Sequence, residues 1–450
     1  MSAGAARITR RAAGVALAAG ALGFVAFGPR PSRRTSDGRL VLDYWEKWTG
    51  HEAAAMQRVV DAFNESQDRI LVRYLSMGAI DAKAQIAIAG GDPPDVIGLW
   101  NYNLPAFSQS GAILPLDEMP DPPRADWYTP PVWRLVNHGR RTWALPTTCN
   151  TTALFYNRKY FREAGLDPDA PPRTIDELDA AADALTLTDD AGRLSRAGFV
   201  HTEPGWWDWI WGYFFGGNLF DEQRRVATTD SNVNIRAYEW VQSYPKRFKA
   251  SRLLSFQSGF GTYFSMQQPF VEGKLAMTLH GCFLANVIRR FKPDLDYGVA
   301  HFPIDAELLG RGGPIGMIES DILVVPAGAR NPEASYEFIQ FVQQRQWMEH
   351  LAAVHSKPSP LRTLSSEFES IHPDPWVSVH TELINSDRAF EVPRTRTWLQ
   401  YRDEFRQAME RIWTLSQPPA AALADVNARA QAAIDQATLQ RERRERAGRA

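Results

Sequence analysis

Cysteine is nearly absent: two thiols, Cys149 and Cys282, stand in 450 residues. Two isolated cysteines cannot supply the paired spacings of a zinc or iron–sulfur site. The chain also lacks a G-x-S-x-G elbow, an H-E-x-x-H pair and a Walker loop. Gly273-Lys274 resembles the end of a phosphate loop, but Leu275 follows where Ser or Thr is needed. No dinucleotide fingerprint follows a strand pattern, and the nine histidines are scattered. A lone histidine is more often structural than catalytic. No catalytic residue, cofactor or metal is therefore assigned. A carboxylate pair for glycoside hydrolysis is a three-dimensional property that sequence spacing leaves open. A large charge of either sign is missing too, the formal net charge being −2. Residues 1–39 hold seven Arg and one Asp, which leaves 43 basic and 51 acidic residues in the body. A mildly acidic body argues against a nucleic-acid partner, whose binders carry basic patches. There is no fixed-period repeat, no low-complexity tract and no long linker.

What is present begins at the N-terminus. Arg7, Arg10 and Arg11 precede an uncharged run from Ala12 to Gly28, followed by Arg30, Arg33 and Arg34. A basic segment before an apolar one of this length reads as an export signal over residues 1–38. An uncleaved anchor and a twin-arginine signal at Arg10-Arg11 are the alternatives. No cysteine borders the apolar run, so a lipid-modified anchor is not expected. The expected location is the periplasm or cell envelope. The last ten residues, RERRERAGRA, read as a solvated helix end.

A chain of this length exceeds one ordinary core and implies two domains or large lobes. From residue 39 strands and helices alternate. Residues 39–45, 70–75 and 95–100 read as strands, 51–67 and 81–89 as helices. Met56, Val59, Val60 and Phe63 mark one helical face, and Gly90-Gly91 is a helix stop. That order implies parallel pairing with right-handed crossovers. Residues 143–156 read as extended, Thr174–Glu177 as a capping box, and 275–279 and 297–302 as strands. A helix is predicted from Asn331-Pro332 through Trp347, and helices from Asp387 onward broken at Gln417-Pro418-Pro419. In open α/β sheets ligands bind beyond the carboxyl ends of strands. This points to Trp45 and Trp48 after the first strand and to Trp100, Asn101 and Tyr102 after the third.

Tryptophan is abundant, at 15 residues. Its N–H needs a partner when buried, so a surplus points to a surface or cleft. Four of the fifteen fall in Glu203-Pro-Gly-Trp-Trp-Asp-Trp-Ile-Trp211. Read as a helix, this segment pairs Trp207 with Trp211 and places Trp206 and Trp209 on a neighbouring face. Trp207 and Trp211 are expected in the core, and at least one of the four rings against a ligand. An indole face packs on the axial C–H groups of a pyranose, while Glu203 and Asp208 offer acceptors for its hydroxyls.

Seven short motifs in order carry a resemblance. Gly90-Gly-Asp-Pro-Pro-Asp-Val96 resembles the G-G-x-x-P-D-V signature of family 1 bacterial extracellular solute-binding proteins, the maltose-binding type. Ser110–Asp117, Leu145–Arg158, Phe161–Leu166, Pro171–Leu185, Phe270–Met277 and Pro358–Leu361 are similar to further family motifs, over residues 40–435 or so. The resemblance implies an α/β, two-lobed periplasmic-binding-protein fold of type II. A multi-strand hinge would cross near 146–153, 276–282 and 318–326, with ligand in the cleft. The expected division is 39–147 plus 282–322 for the first lobe and 148–281 plus 323–450 for the second. Carried over by position, the cleft residues are Trp45, Glu46, Lys47, Trp48, Asp95, Asn101, Asn150, Glu203, Trp206, Trp209, Phe283, Trp398 and Arg402.

Two departures matter. The maltose-binding type has a carboxylate where Asn150 stands and Trp where Phe283 stands, so a glycoside other than maltose is implied. The segment Asp117–Arg141 reads as an insertion that pads the first lobe or forms a lid. The resemblance also sets Cys149 beside the first crossover and Cys282 beside the second, where they form either a disulfide or two buried thiols. The function implied is that of the solute-binding receptor of an ATP-driven importer. It would act as a monomer, capture a sugar or oligosaccharide by cleft closure and dock on membrane permease subunits. The alternatives are a polyamine-like ligand, a sensor partner of a receptor ectodomain, and a carbohydrate-processing enzyme.

Overall fold

The structure, a computed structural model, describes residues 33–447. The apolar run Ala12–Gly28 lies outside them. Residues 33–38 form a turn that Arg33 fastens to Asp43 at 2.7 Å. No helix among the described residues is long and apolar enough to cross a membrane.

The chain opens as the alternation predicts. Strand β1 (Leu40–Glu46), helix α1 (Gly50–Ser66), β2 (Ile70–Ser76), α2 (Ile80–Ala89) and β3 (Val96–Trp100) follow in order. β1 pairs in parallel with both β2 and β3. α1 buries Met56, Val59, Val60 and Phe63 against this sheet, the face that the spacing of three, four and seven marked. The 117–141 segment holds a short helix, α3 (Pro130–Leu135). Its Val132 and Leu135 pack on Cys149, Ile318 and Ile384, so the insertion fills the space behind the hinge.

The hinge is built on β4 (Leu145–Asn157), buried along its whole length. Helices α4 (Ile175–Leu185) and α5 (Asn232–Phe248) lead to β5 (Met277–Gly281), α6 (Leu284–Phe291), β6 (Tyr297–Ala300) and β7 (Ile318–Val324). The N-terminal half of β4 pairs with β7, which continues the sheet onto β3. Its C-terminal half runs antiparallel between β5 and β6. One seven-stranded sheet, ordered β5-β4-β7-β3-β1-β2 with β6 also on β4, thus passes through both halves of the molecule. The predicted Thr174–Glu177 capping box forms at the start of α4, where hydroxyl and carboxylate each cover a backbone N–H.

The larger core of each half packs on one face of that sheet, with a smaller cluster on the other. Tyr336, Phe338, Met348 and Leu351 join Leu42, Tyr44 and Phe63 in one of the larger cores. They lie on α7 (Pro332–Val342) and α8 (Arg345–His355). The predicted single helix through Trp347 is therefore two, broken at Gln343-Gln344. After α9 (Val377–Asn385), the other core joins Phe302, Ile315 and Met317 to the tryptophan segment, α5, α10 (Trp398–Trp413) and α11 (Pro419–Ala447). The expected division of the chain needs correcting. Phe302, Ile315 and Met317 pack with the second core, Leu284, Val287, Ile288 and Val299 form a further cluster with Phe155 and Phe270 of the second half, and 323–361 pack mostly with the first core. The reason is strand order: β7 enters the first half beside β3, so the chain it delivers lands there.

Residues 203–210 are not helical, again against expectation. They form turns after a cis Glu203–Pro204 peptide, and a 3₁₀ turn begins only at Trp211. Pro204 and Gly205 interrupt any helix at its start. Nor do the cysteines pair: both are free and buried, and Cys282 Sγ points to Asn150 Oδ1 at 3.4 Å.

Candidate functional site

Where β1 ends, Glu46 and Lys47 turn inward rather than outward. The Glu46 carboxylate accepts from Tyr44 Oη at 2.5 Å and from the Lys47 backbone N–H at 2.7 Å. Its neighbour Gly98 is required: a Cβ there would lie 1.9 Å from Glu46 Oε2. Lys47 Nζ reaches Glu46 Oε1 at 3.1 Å, the Leu99 carbonyl at 3.1 Å and Asp321 Oδ1 at 3.0 Å. The ammonium also sits 5.2 Å from the centre of the Trp100 ring and 5.0 Å from that of Trp48. Lys357 closes on Asp321 from the other side. This buried ionic cluster stands behind Trp100 and fixes the end of β3.

In front of it opens a cavity of about 630 Å³ lined by both halves. From the first half come Trp100 and Tyr102, stacked 5.6 Å apart with planes 11° from parallel. From the second come Trp206, the most exposed ring of its segment at 42%, and Trp209, buried edge-on against Trp398 at 5.0 Å. Phe283 lies 6.0 Å from Trp206, with its ring tilted by 36°. The Trp398 Nε1 donor is buried without a partner among the described residues, a group that a ligand acceptor would satisfy.

Polar groups converge on the same space. Glu319, on β7, accepts from Asn150 Nδ2 at 3.3 Å. Burial raises its carboxyl to about 7, and burial raises Asp208 likewise to about 7. The Arg402 guanidinium lies 5.7 Å over the Tyr102 ring, and Asp403 and Arg406 complete the rim. The site offers opposed aromatic faces with donors and acceptors at their edges. Such a lining holds an amphipathic ligand. Among the described residues no group of His, Cys, Asp and Glu is placed to hold a metal ion.

Of the residues expected in the cleft, Trp206, Trp209, Phe283, Trp398 and Arg402 line the cavity. The others do not. Trp45 packs between the sheet and α2, with Ile80 and Ile97. Glu46 and Lys47 are consumed by the ionic cluster, and Trp48 is buried edge-on against His355. Asp95 lies just before β3, at the end remote from Trp100, where its Oδ2 accepts from the Asp43 N–H at 2.9 Å. Asn101 accepts from the Ser320 N–H at 2.9 Å and ties the end of β3 to β7. Asn150 stands one layer behind, through Glu319. Glu203 precedes the lining residues without joining them, its carboxyl raised by burial to about 7. Glu319, Asp403 and Arg406 were missed. Asp403 and Arg406 lie within one helical turn of Arg402, a spacing that could have found them.

Comparison with known proteins agrees with this architecture. The chain is similar to the sn-glycerol-3-phosphate-binding periplasmic protein UgpB of Yersinia pestis, at 23% identity over 85% of this chain and 89% of that protein. Among solved structures it superposes on CpMnBP1 with mannotriose bound at a TM-score of 0.74. The identity is 25%, covering 87% of this chain and 99% of that one. The GacH receptor of Streptomyces glaucescens, known unliganded and in complex with acarbose, gives a TM-score of 0.71 at 22% identity, covering 88% and 98%. The bacterial extracellular solute-binding protein family matches residues 47–349, and the chain belongs to that family.

Proposed function

We propose that this chain is a non-catalytic receptor that captures a sugar or short oligosaccharide between its lobes and delivers it to membrane permease subunits. The observation that carries this reading is the pair of aromatic surfaces across one cavity. Trp100 and Tyr102 face it from the first half, Trp206 and Phe283 from the second. Pyranose C–H faces pack on such rings, while Glu319, Asp208 and Arg402 bond hydroxyls at the edges. Closure follows from differential affinity, because a ligand touching both halves favours the state that brings them together. The sugar ligands of CpMnBP1 and GacH support the ligand class.

A second reading has its own observation. Arg402 and Arg406 both line the cavity, and the UgpB relatives are named for a phosphorylated polyol. Calorimetry with mannobiose, maltotriose and sn-glycerol 3-phosphate separates the two. Saturable heat with an oligosaccharide supports the first, and heat with the phosphate alone replaces it. Analysis of the same mixtures for shortened sugars tests the receptor against an enzyme, and any turnover would overturn the non-catalytic reading.

A further inference from the structure

A second cavity, of about 380 Å³, opens between the lobes and shares no lining residue with the first. Its wall carries five arginines, Arg140, Arg225, Arg394, Arg396 and Arg441, against one carboxylate, Glu222. Among the described residues Arg140, Arg225, Arg394 and Arg396 make no salt bridge, and the Arg394 guanidinium donates to the Asn137 carbonyl. Glu222 on the wall and Glu391 near Arg394, its carboxyl raised by burial to about 7, offset part of this charge, and an anion in the space would relieve the repulsion that remains.

The backbone supplies an independent observation. Arg140 and Arg225 both adopt left-handed conformations, at φ 67° and 57°. Each sits in the turn of a two-stranded hairpin, between Asn137–His138 and Arg141–Thr142 or between Phe220–Asp221 and Val226–Ala227. Such positions favour glycine or asparagine. Arginine stands at both, and both line the same cavity. His138 lines the same cavity. Its Nε2 lies 2.8 Å from Gln109 Nε2. Burial, then the nearby Arg394, Arg225 and Arg441 charges, lower its pKa to about 4.

The wall comes from both halves. Gln109 and the 137–140 turn neighbour the first half through Phe107 and Val136, which cluster with Ile97 and Leu99 of β3. Phe220, Arg394, Arg396 and α11 belong with the second. The chain between them links the two cavities. Val392 lines the first, Arg394 and Arg396 the second, then Trp398 and Arg402 the first again.

We propose that this cavity is a second ligand site, taking a small free multivalent oxyanion of the phosphate type between guanidiniums of the two lobes. Planar guanidiniums match such oxygens with paired hydrogen bonds. An anion held from both sides favours the lobe spacing that gathers its ligands, so it biases the receptor toward that spacing.

Calorimetry of the full chain with inorganic pyrophosphate at low ionic strength tests this. One saturable site is expected. The double variant Arg140→Asn, Arg225→Asn suits the left-handed turns and should fold, and it should bind at least tenfold more weakly. Arg402→Gln, in the first cavity, should leave pyrophosphate affinity unchanged. Absence of saturable heat, a double variant that binds normally, or a loss in Arg402→Gln instead would overturn the proposal. So would sedimentation with phosphatidylglycerol vesicles in the absence of any binding of free pyrophosphate, since that assigns the arginines to a lipid surface.

Discussion

Lys357 Nζ meets Asp321 Oδ2 at 2.7 Å, with both side chains buried and Lys47 bound to the other carboxylate oxygen at 3.0 Å. Burial alone would push the Asp321 carboxyl up, but Lys357 and Lys47 outweigh it and hold the group well below its ordinary 3.8. Thr148 Oγ1, from β4, donates to the same oxygen as Lys357 at 2.6 Å. Two strands of the hinge and the chain ends after β1 and α8 therefore share one carboxylate. Replacing it leaves two buried ammoniums short of a partner.

Asp321→Asn should destabilise the protein by about 3–5 kcal/mol, the usual cost of breaking a buried pair from one side. Urea unfolding measures it. The pH sign follows from the depressed pKa: the stabilisation is fully present above the ordinary value of 3.8 and is lost as pH falls through the folded one. The variant should lack that acid-dependent loss. A variant as stable as the parent would show the cluster to be dispensable.

Trp206 and Trp209 should separate binding from folding. Trp206 is 42% exposed and Trp209 only 1%. Trp206→Ala should cost little stability and weaken ligand capture tenfold or more. Trp209→Ala should open a hole beside Trp398 and cost roughly 3–5 kcal/mol. Thermal melts beside calorimetry distinguish the two.

Glu319 should impose the opposite pH dependence from Asp321. Burial raises its pKa from 4.5 to about 7, so the folded state holds this proton more tightly than the unfolded chain. Stability is uncompromised by Glu319 below pH 4.5 and declines as pH rises to about 7. In Glu319→Gln this part of the decline should vanish, and unfolding midpoints at about pH 5 and pH 8 should draw closer. An unchanged difference would place the titration elsewhere.

The two cysteines should behave as protected thiols. Burial raises both pKa values, that of Cys282 to about 12. Thiol titration of the native protein should find no fast-reacting group, and titration of denatured, unreduced protein should find two. Fewer than two would mean that Cys149 and Cys282 pair.

Hydrophobic period made the first five elements legible, because α1 and the three strands keep their apolar residues on one face or in one run. Residues 143–156 and 275–279 were legible as extended from pattern, but their part in a hinge, and β7 itself, only by resemblance; β4, β5 and β7 fall where it implied. Local pattern failed at the tryptophan segment, where Pro204 and Gly205 decide against a helix that residue spacing alone suggested. The strand-end rule pointed to Trp48 and the resemblance to Glu46 and Lys47, yet Gly98 and Asp321, distant in sequence, draw the charges inward. Glu319 was invisible for the same reason: a lone acid on a strand gains meaning only when β7 is laid beside β4 and its side chain meets Asn150.

The most direct test of the account is intrinsic tryptophan fluorescence during titration with mannobiose and maltotriose, in parallel on the parent chain and on Trp206→Ala. A saturable spectral shift with at least one oligosaccharide is expected, weakened tenfold or more in the variant. A flat response to every sugar, with a shift on sn-glycerol 3-phosphate or a polyamine instead, would keep the fold and contradict the ligand.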